Sequence, residues 1–395
     1  MAGGLYITEW SAKILSNLKH KTSFMKILHI VLCLGKGGAE KLLVDFLPKY
    51  TLKGHNISIL QLSSILESQE YIDLVEKAGI KFYSLSNGRL KNPFLILKIR
   101  KFLKENNFDI VHVHLFPSLY FSALATIGIK NKPVLVFTEH SSQNGRNTRF
   151  YFKPIEMFMY ARYDAIIAIS DNIKSKLISW VGLQKNIYSI PNGIDIHHFE
   201  GITGYSSSEW IQMFDVPFDS FKILMVARFS HPKDHLTVLR AIQQLPPKVH
   251  LFLVGDGGEV EKIKRFSQEM NLGEKVHFLG FRLDIPQLMK TVDIVVLSSL
   301  YEGMSGVTME ALASKTVFLG SDVSGIKEVV PDNRFLFSSQ DYKMLAEKIN
   351  SIKNNTVLMT SMQKDGFSFV QKFDVSNMID QHLSLYEKLL NQKNR

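Results

Sequence analysis

Apolar residues fall along this chain in two alternating rhythms. The first is a short continuous run: KILHIVLCLG (26–35), HNISILQLS (55–63), IKFYSLS (80–86), DIVHVHL (109–115), PVLVFTEHSS (133–142) and YDAIIAIS (163–170). Runs of this length, rich in Val and Ile, predict strands buried on both faces. The second is a helical stripe, as in KGGAEKLLVDFLPKY (36–50), YIDLVEKAG (71–79) and PFLILKIRKFLKENN (93–107). In that last segment Leu95, Ile99, Phe102 and Leu103 share a face, while Lys98, Lys101 and Lys104 lie off it. It fits either a solvated surface helix or a membrane contact. The alternation resumes with a strand ending at Ala227, then HLFLVGDGGE (250–259), KVHFLGFRLD (275–284) and DIVVLSS (293–299), each followed by a helical segment. Such β/α order predicts an α/β protein with parallel, doubly wound sheets.

Length refines that picture. At 395 residues the chain is long enough for two domains with separate cores. A Pro-Asn-Gly turn in NIYSIPNGIDIHHF (186–199) precedes the expected boundary near Ile196. The reading is an extension over 1–24, domains over 25–195 and 196–375, and a final amphipathic segment over 376–395. The first 24 residues lack a continuous apolar core of the signal-peptide kind, and MKILHIVLCLG makes Met25 the more natural start. No apolar run reaches ~18 residues, so no transmembrane helix is expected. One cysteine, Cys33, rules out an internal disulfide framework and fits a reducing cytoplasm.

Net charge is +10, unevenly spread. Residues 1–195 hold 25 Lys and Arg against 14 Asp and Glu, whereas 196–395 hold 22 against 23. The basic half should attract a phosphate-bearing acceptor or acidic lipid headgroups. Nucleic acid is not the expected partner, because no basic recognition helix, zinc pattern or RNA-binding aromatic motif is present.

The chemistry concentrates where strands end. YEGMSGVTMEALA (301–313) follows an apolar strand and opens a helix, with Ser305 as N-cap and Gly306 behind it. A helix start at a strand's C-terminal edge suits an anion. Glu302 and Glu310, eight residues apart, are carboxylates able to take vicinal hydroxyls. Met309 and the alanines around Glu310 place that acid in apolar surroundings, where it needs a partner. Arg228 and Lys233 flank a Pro-containing loop before a helix and could neutralise a diphosphate. Cations at a helix start are unfavourable unless an anion joins them. After the first strand, Gly37 and Gly38 permit close approach of a ligand to the backbone. Glu40 replaces the third glycine of a dinucleotide fingerprint, so an NAD site is not expected. His112 and His114 share one strand face, but no third metal ligand is evident. His114 lies nearer the cleft, and His140 sits at the end of the next strand. Arg146, Arg149 and Lys153, interleaved with Phe150, Tyr151 and Phe152, fit a bilayer interface, a phosphate-bearing acceptor, or a plain loop with core aromatics behind it.

The pattern E-G-x-S-x-x-x-x-E-A-x-A after an apolar strand resembles the E-x7-E motif of retaining glycosyltransferases of family 4, which have the GT-B fold. GGAE, PNGID and R-x4-K also occur in the family's order, and the resemblance spans about residues 25–390. It implies two Rossmann-like domains facing across a cleft, with the last helix crossing back onto the first domain. It implies a nucleotide-sugar donor, a UDP-sugar above all, whose phosphates meet the Gly37 and Gly38 amides, Arg228, Lys233 and the helix start at Ser305 and Gly306. Glu310 would hold the ribose, Glu302 the sugar, His140 would lie against sugar and phosphate, and the loop around Phe281 would border the nucleobase. It further implies metal-independent, front-side substitution and a glycan or lipid-linked acceptor, at the cytoplasmic side of the inner membrane. Ser298 stands where the family has proline, and SGIKE where GGxPE is common. A nucleotide-sugar epimerase and a non-catalytic carbohydrate-binding protein of the same fold are the alternatives.

Overall fold

The computed structural model describes residues 24–88, 92–141, 149–182 and 186–394. Seven parallel strands form the first sheet: β1 (Lys26–Val31), β2 (Asn56–Gln61), β3 (Lys81–Ser84), β4 (Ile110–His114), β5 (Val134–Glu139), β6 (Ala165–Ala168) and β7 (Ile187–Ser189), in the order β3-β2-β1-β4-β5-β6-β7. Six more form the second: β8 (Phe221–Val226), β9 (Val249–Val254), β10 (Val276–Gly280), β11 (Ile294–Leu297), β12 (Val317–Ser321) and β13 (Leu336–Phe337), in the order β10-β9-β8-β11-β12-β13. The fold is α/β with two doubly wound parallel sheets, as the alternating runs predict. The expected strands are shorter than their apolar runs by a few residues. Strands β7, β12 and β13 do not stand out as separate apolar runs in the sequence.

Each sheet reverses its winding once, between β1 and β4 in the first and between β8 and β11 in the second. At such a switch point the flanking helices leave in opposite directions and open a crevice beyond the strands' carboxyl ends. The loops after β1, β8 and β11 carry the charged motifs, so topology gathers them.

Apolar clusters cover both faces of the first sheet, and another fills the second domain. The final helix, Val375–Lys393, does not pack in the second domain. Its Val375, Met378, Ile379, Tyr386 and Leu389 lie in the cluster on the first sheet. The crossing is tight: a Cβ on Gly193 would lie 2.6 Å from the Val375 Cα, so only glycine lets the chains meet. A bridge pairs Ile194 with Asp374 there. Residues 1–23 of the N-terminal extension and Arg146 lie outside the described residues.

Candidate active site

The two switch points face each other across a narrow gap. A Cβ on Gly303 would stand 2.1 Å from the His140 carbonyl oxygen, so the loop after β11 rests on the end of β5 only because residue 303 is glycine. Met304 packs against apolar residues of the first domain.

The helix Gly306–Ala313 starts as its sequence predicts. Ser305 Oγ accepts a hydrogen bond from the Thr308 amide at 3.2 Å, and its own neighbour Thr308 Oγ1 donates to it at 2.7 Å. Glu310 is buried, and the partner it requires comes from the other domain: Lys41 Nζ donates to its carboxylate at 2.6 Å. Lys41 also reaches Asp45 at 3.0 Å. Burial pulls the Lys41 ammonium down, but Glu310 and Asp45 outweigh that and hold it above its ordinary range. Lys41 went unnoticed in the sequence, although the rule applied to Lys233 would have found it. It is a cation in a helix's first turn, beside two glycines, and such a cation calls for an anion.

Lys233 and Glu302 form an ion pair, and Ser299 Oγ donates to the same Glu302 oxygen at 2.6 Å. Ser298 explains its own departure from the family pattern. Its buried hydroxyl is shared between the Lys233 and Asp234 carbonyls at 3.0 and 2.8 Å. The Leu300 amide donates to the Pro232 carbonyl at 2.8 Å. Together these contacts fasten the lysine loop to the glutamate loop.

Arg228 is exposed, and among the described residues it makes no ion pair within 4.0 Å. Its charge acts on Glu40, whose carboxyl is pushed up by burial, while its own backbone hydrogen bond and Arg228 oppose the shift. Gly37 caps the helix Gly38–Leu52, and the Glu40 carboxylate curls so closely over it that a Cβ would meet Oε2 at 2.2 Å. Phe281, at the rim, carries the Lys36 ammonium 4.1 Å from its ring centre. Arg228, Lys233, Glu302, Glu310, Ser305, Gly306, Gly37 and Gly38 thus sit on the loops and helices that follow the switch-point strands β1, β8 and β11, with His140 at the end of β5 and Phe281 directly after the edge strand β10.

His114 turns inward instead of facing a ligand. Its Nδ1 lies 3.3 Å from His140 Nε2, and its Nε2 lies 3.0 Å from Nδ1 of His29 on β1. The third histidine that the sequence did not reveal is therefore supplied by parallel register, which sets His29 beside His112. The three bring ligand-type atoms within 4.8 Å of one another. Five of their six ring nitrogens are already hydrogen-bonded, with Tyr386 and Thr138 completing His112 at 2.5 and 2.6 Å. No carboxylate belongs to the cluster, and burial holds all three imidazoles well below their ordinary pKa, His29 at about 3. That chemistry fits a ladder of neutral imidazoles. His140 at its end is lowered by burial to about 4.

Arg149 donates to Tyr151 at 3.2 Å, and the Lys153 ammonium stands 6.0 Å from the centre of the Trp180 ring. Both belong to an outer face with Phe150, Tyr151 and Phe158 exposed.

Two doubly wound domains joined in this way, with a helix returning to the first, have the GT-B architecture. The sequence matches the profile described as Glycosyltransferase Family 4 over residues 36–198 and that described as Glycosyl transferases group 1 over 207–368. The chain belongs to this family of glycosyltransferases. It is 24% identical over 310 residues to the Escherichia coli UDP-Gal:α-D-GlcNAc-diphosphoundecaprenol α-1,3-galactosyltransferase, covering 75% of this chain and 80% of that one. It is 26% identical over 316 residues to the Campylobacter jejuni N-acetylgalactosamine-N,N'-diacetylbacillosaminyl-diphospho-undecaprenol 4-α-N-acetylgalactosaminyltransferase, covering 76% and 82%. Among solved structures, Anabaena HepE in complex with UDP and glucose superposes with a TM-score of 0.81 at 25% identity, over 92% of this chain and 100% of that one.

Proposed function

We propose that this glycosyltransferase moves a sugar from a UDP-sugar to a glycan carried on a lipid diphosphate, with retention at the anomeric carbon. The observation that carries the reading is the convergence of Arg228, Lys233, Glu302 and Glu310 on one wall of the cleft with the Gly37–Gly38 helix start opposite. The UDP named with HepE and the diphosphoundecaprenol named with the bacterial relatives support the choice of substrates.

As the glycosidic bond breaks, negative charge grows on the leaving diphosphate. Arg228, Lys233, the Gly37 and Gly38 amides and the helix start at Ser305–Gly306 would stabilise it where it develops, without a metal ion. Glu310 would accept from the ribose hydroxyls and Glu302 from the sugar. Before the donor arrives, Lys41 and Lys233 neutralise these two acids. The donor's hydroxyls and phosphates would then exchange partners with them. No protein nucleophile is assigned, so the acceptor hydroxyl enters on the face the phosphate leaves.

Transfer from UDP-hexoses to an undecaprenyl-diphosphate sugar, with the product anomer read by NMR, tests this. An α-linked product from an α-linked donor is expected. A β-linked product would overturn retention, and conversion of the UDP-sugar without acceptor would point to an epimerase. The first domain would meet the cytoplasmic face of the inner membrane through exposed Phe94, Leu97, Phe150 and Phe158, with Lys101, Arg149 and Lys153 nearby in sequence. No helix among the described residues is long and apolar enough to cross a membrane. Flotation with anionic vesicles should be strong at low salt and weak at high salt; equal recovery with neutral vesicles would sink the surface assignment.

A further inference from the structure

The histidine ladder runs from the cleft into the core, and its hydrogen bonds can be satisfied in only two ways. Each neutral imidazole carries one N–H. The contacts join His29 Nδ1 to His114 Nε2, and His114 Nδ1 to His140 Nε2. If one ring is protonated on Nδ1 and its neighbour on Nε2, one contact holds two hydrogens or none. All three must therefore be Nδ1–H, or all three Nε2–H.

The inner end decides between them. His29 Nε2 is buried with no hydrogen-bond partner, against the rings of Phe46 and Tyr50. In the Nε2–H array that atom is a buried donor without an acceptor, compensated at best by a weak contact to a ring. In the Nδ1–H array it is an unused lone pair. An orphaned buried N–H is the rarer and costlier of the two. His112 lies beside His114 with ring centres 4.2 Å apart and the rings tilted by 33°, and both its nitrogens are engaged elsewhere, so it leaves the choice untouched. The burial that keeps all these rings neutral keeps the array intact near pH 7.

We propose that His29 and His114 are positioning residues that fix His140 as the Nδ1–H tautomer, aiming a hydrogen-bond donor into the cleft at the donor sugar or its phosphate. Among the described residues His140 Nδ1 has no hydrogen-bond partner, and it is not sealed from solvent. An Nδ1–H suits an oxygen acceptor, whereas the opposite array would present a lone pair to an anion. The substrate in this statement rests on the glycosyltransferase reading above; the tautomer does not.

Long-range 1H–15N correlation of the full chain, labelled with 15N-histidine at pH 7, reads the tautomers directly. His29→Phe, His114→Asn and His140→Gln assign the signals. The expected result is an amine-type Nδ1 and an imine-type Nε2 on His29, His114 and His140; an Nε2–H on His140 overturns the proposal. In the transfer assay, His114→Asn keeps an amide N–H near the place of Nδ1, while His114→Leu does not. The leucine variant should lose about tenfold in kcat with KM little changed, and asparagine should recover most of it. Equal kcat for the two variants overturns the positioning role. If no donor proves active, the spectrum of the unaltered protein still decides the tautomer.

Discussion

Arg228 is the side chain on which the proposed chemistry leans most and the fold leans least. It is exposed at the end of β8, so its removal empties no core. Arg228→Ala should therefore leave the unfolding midpoint within ordinary surface-mutation limits. Turnover should fall by about 100-fold or more, the scale on which a transition-state donor acts. Near-normal kcat in a folded variant would remove Arg228 from the site. Most charged side chains at the cleft were legible in the sequence, because each sits next to a strand end and a helix start. Lys41 and His29 were not. Lys41 contacts Glu310 across the domain gap, 269 residues away in the chain. His29 hides inside an apolar run, and only the register of β1 against β4 sets it beside His112.

At the level of elements, the lysine loop and the glutamate loop behave as one unit, stitched by Ser298. Ser298→Ala would leave the Lys233 and Asp234 carbonyls short of a donor. It should destabilise the protein by about 1–2 kcal/mol in urea and weaken nucleotide binding, since Lys233 would lose its fixed base. An unchanged midpoint with unchanged affinity would show the hydroxyl to be idle. The alternating runs mark ten of the thirteen strands among the described residues, and the three misses have local causes. Between the helix Gly306–Ala313 and β12 the chain turns at Lys315, whose φ of 59° makes a left-handed break without glycine or proline. Strands β7 and β13 have only three and two residues, too few for a period to show. The return of the last helix was likewise invisible to periodicity, since an amphipathic stripe does not say which sheet it covers.

Across the whole molecule, contacts join distant parts of the chain: Lys41 to Glu310 and Gly303 to His140 across the cleft, and Tyr386 of the last helix to His112 inside the first domain. The buried histidines make that assembly acid-sensitive. Burial lowers His29 and His382 to about 3 and His140 to about 4, with His112 and His114 also well below 6.5. The unfolded chain takes up protons first, so their stabilisation is complete above about pH 6.5 and drains away as pH falls toward 4 and then 3. Glu40, Asp45, Asp293 and Glu328, raised by burial, act with the opposite sign but are fewer. The urea midpoint should drop between pH 7 and pH 5; a flat profile would mean that the histidines are not buried as described. The central claim is that the two switch points form a nucleoside-diphosphate site without a metal. Calorimetric titration of UDP in EDTA, on the unaltered protein and on Arg228→Ala, tests it most directly. Saturable binding that EDTA leaves unchanged and Arg228→Ala weakens at least about tenfold is the predicted result. Binding that vanishes in EDTA, or that survives the loss of Arg228 intact, would contradict it.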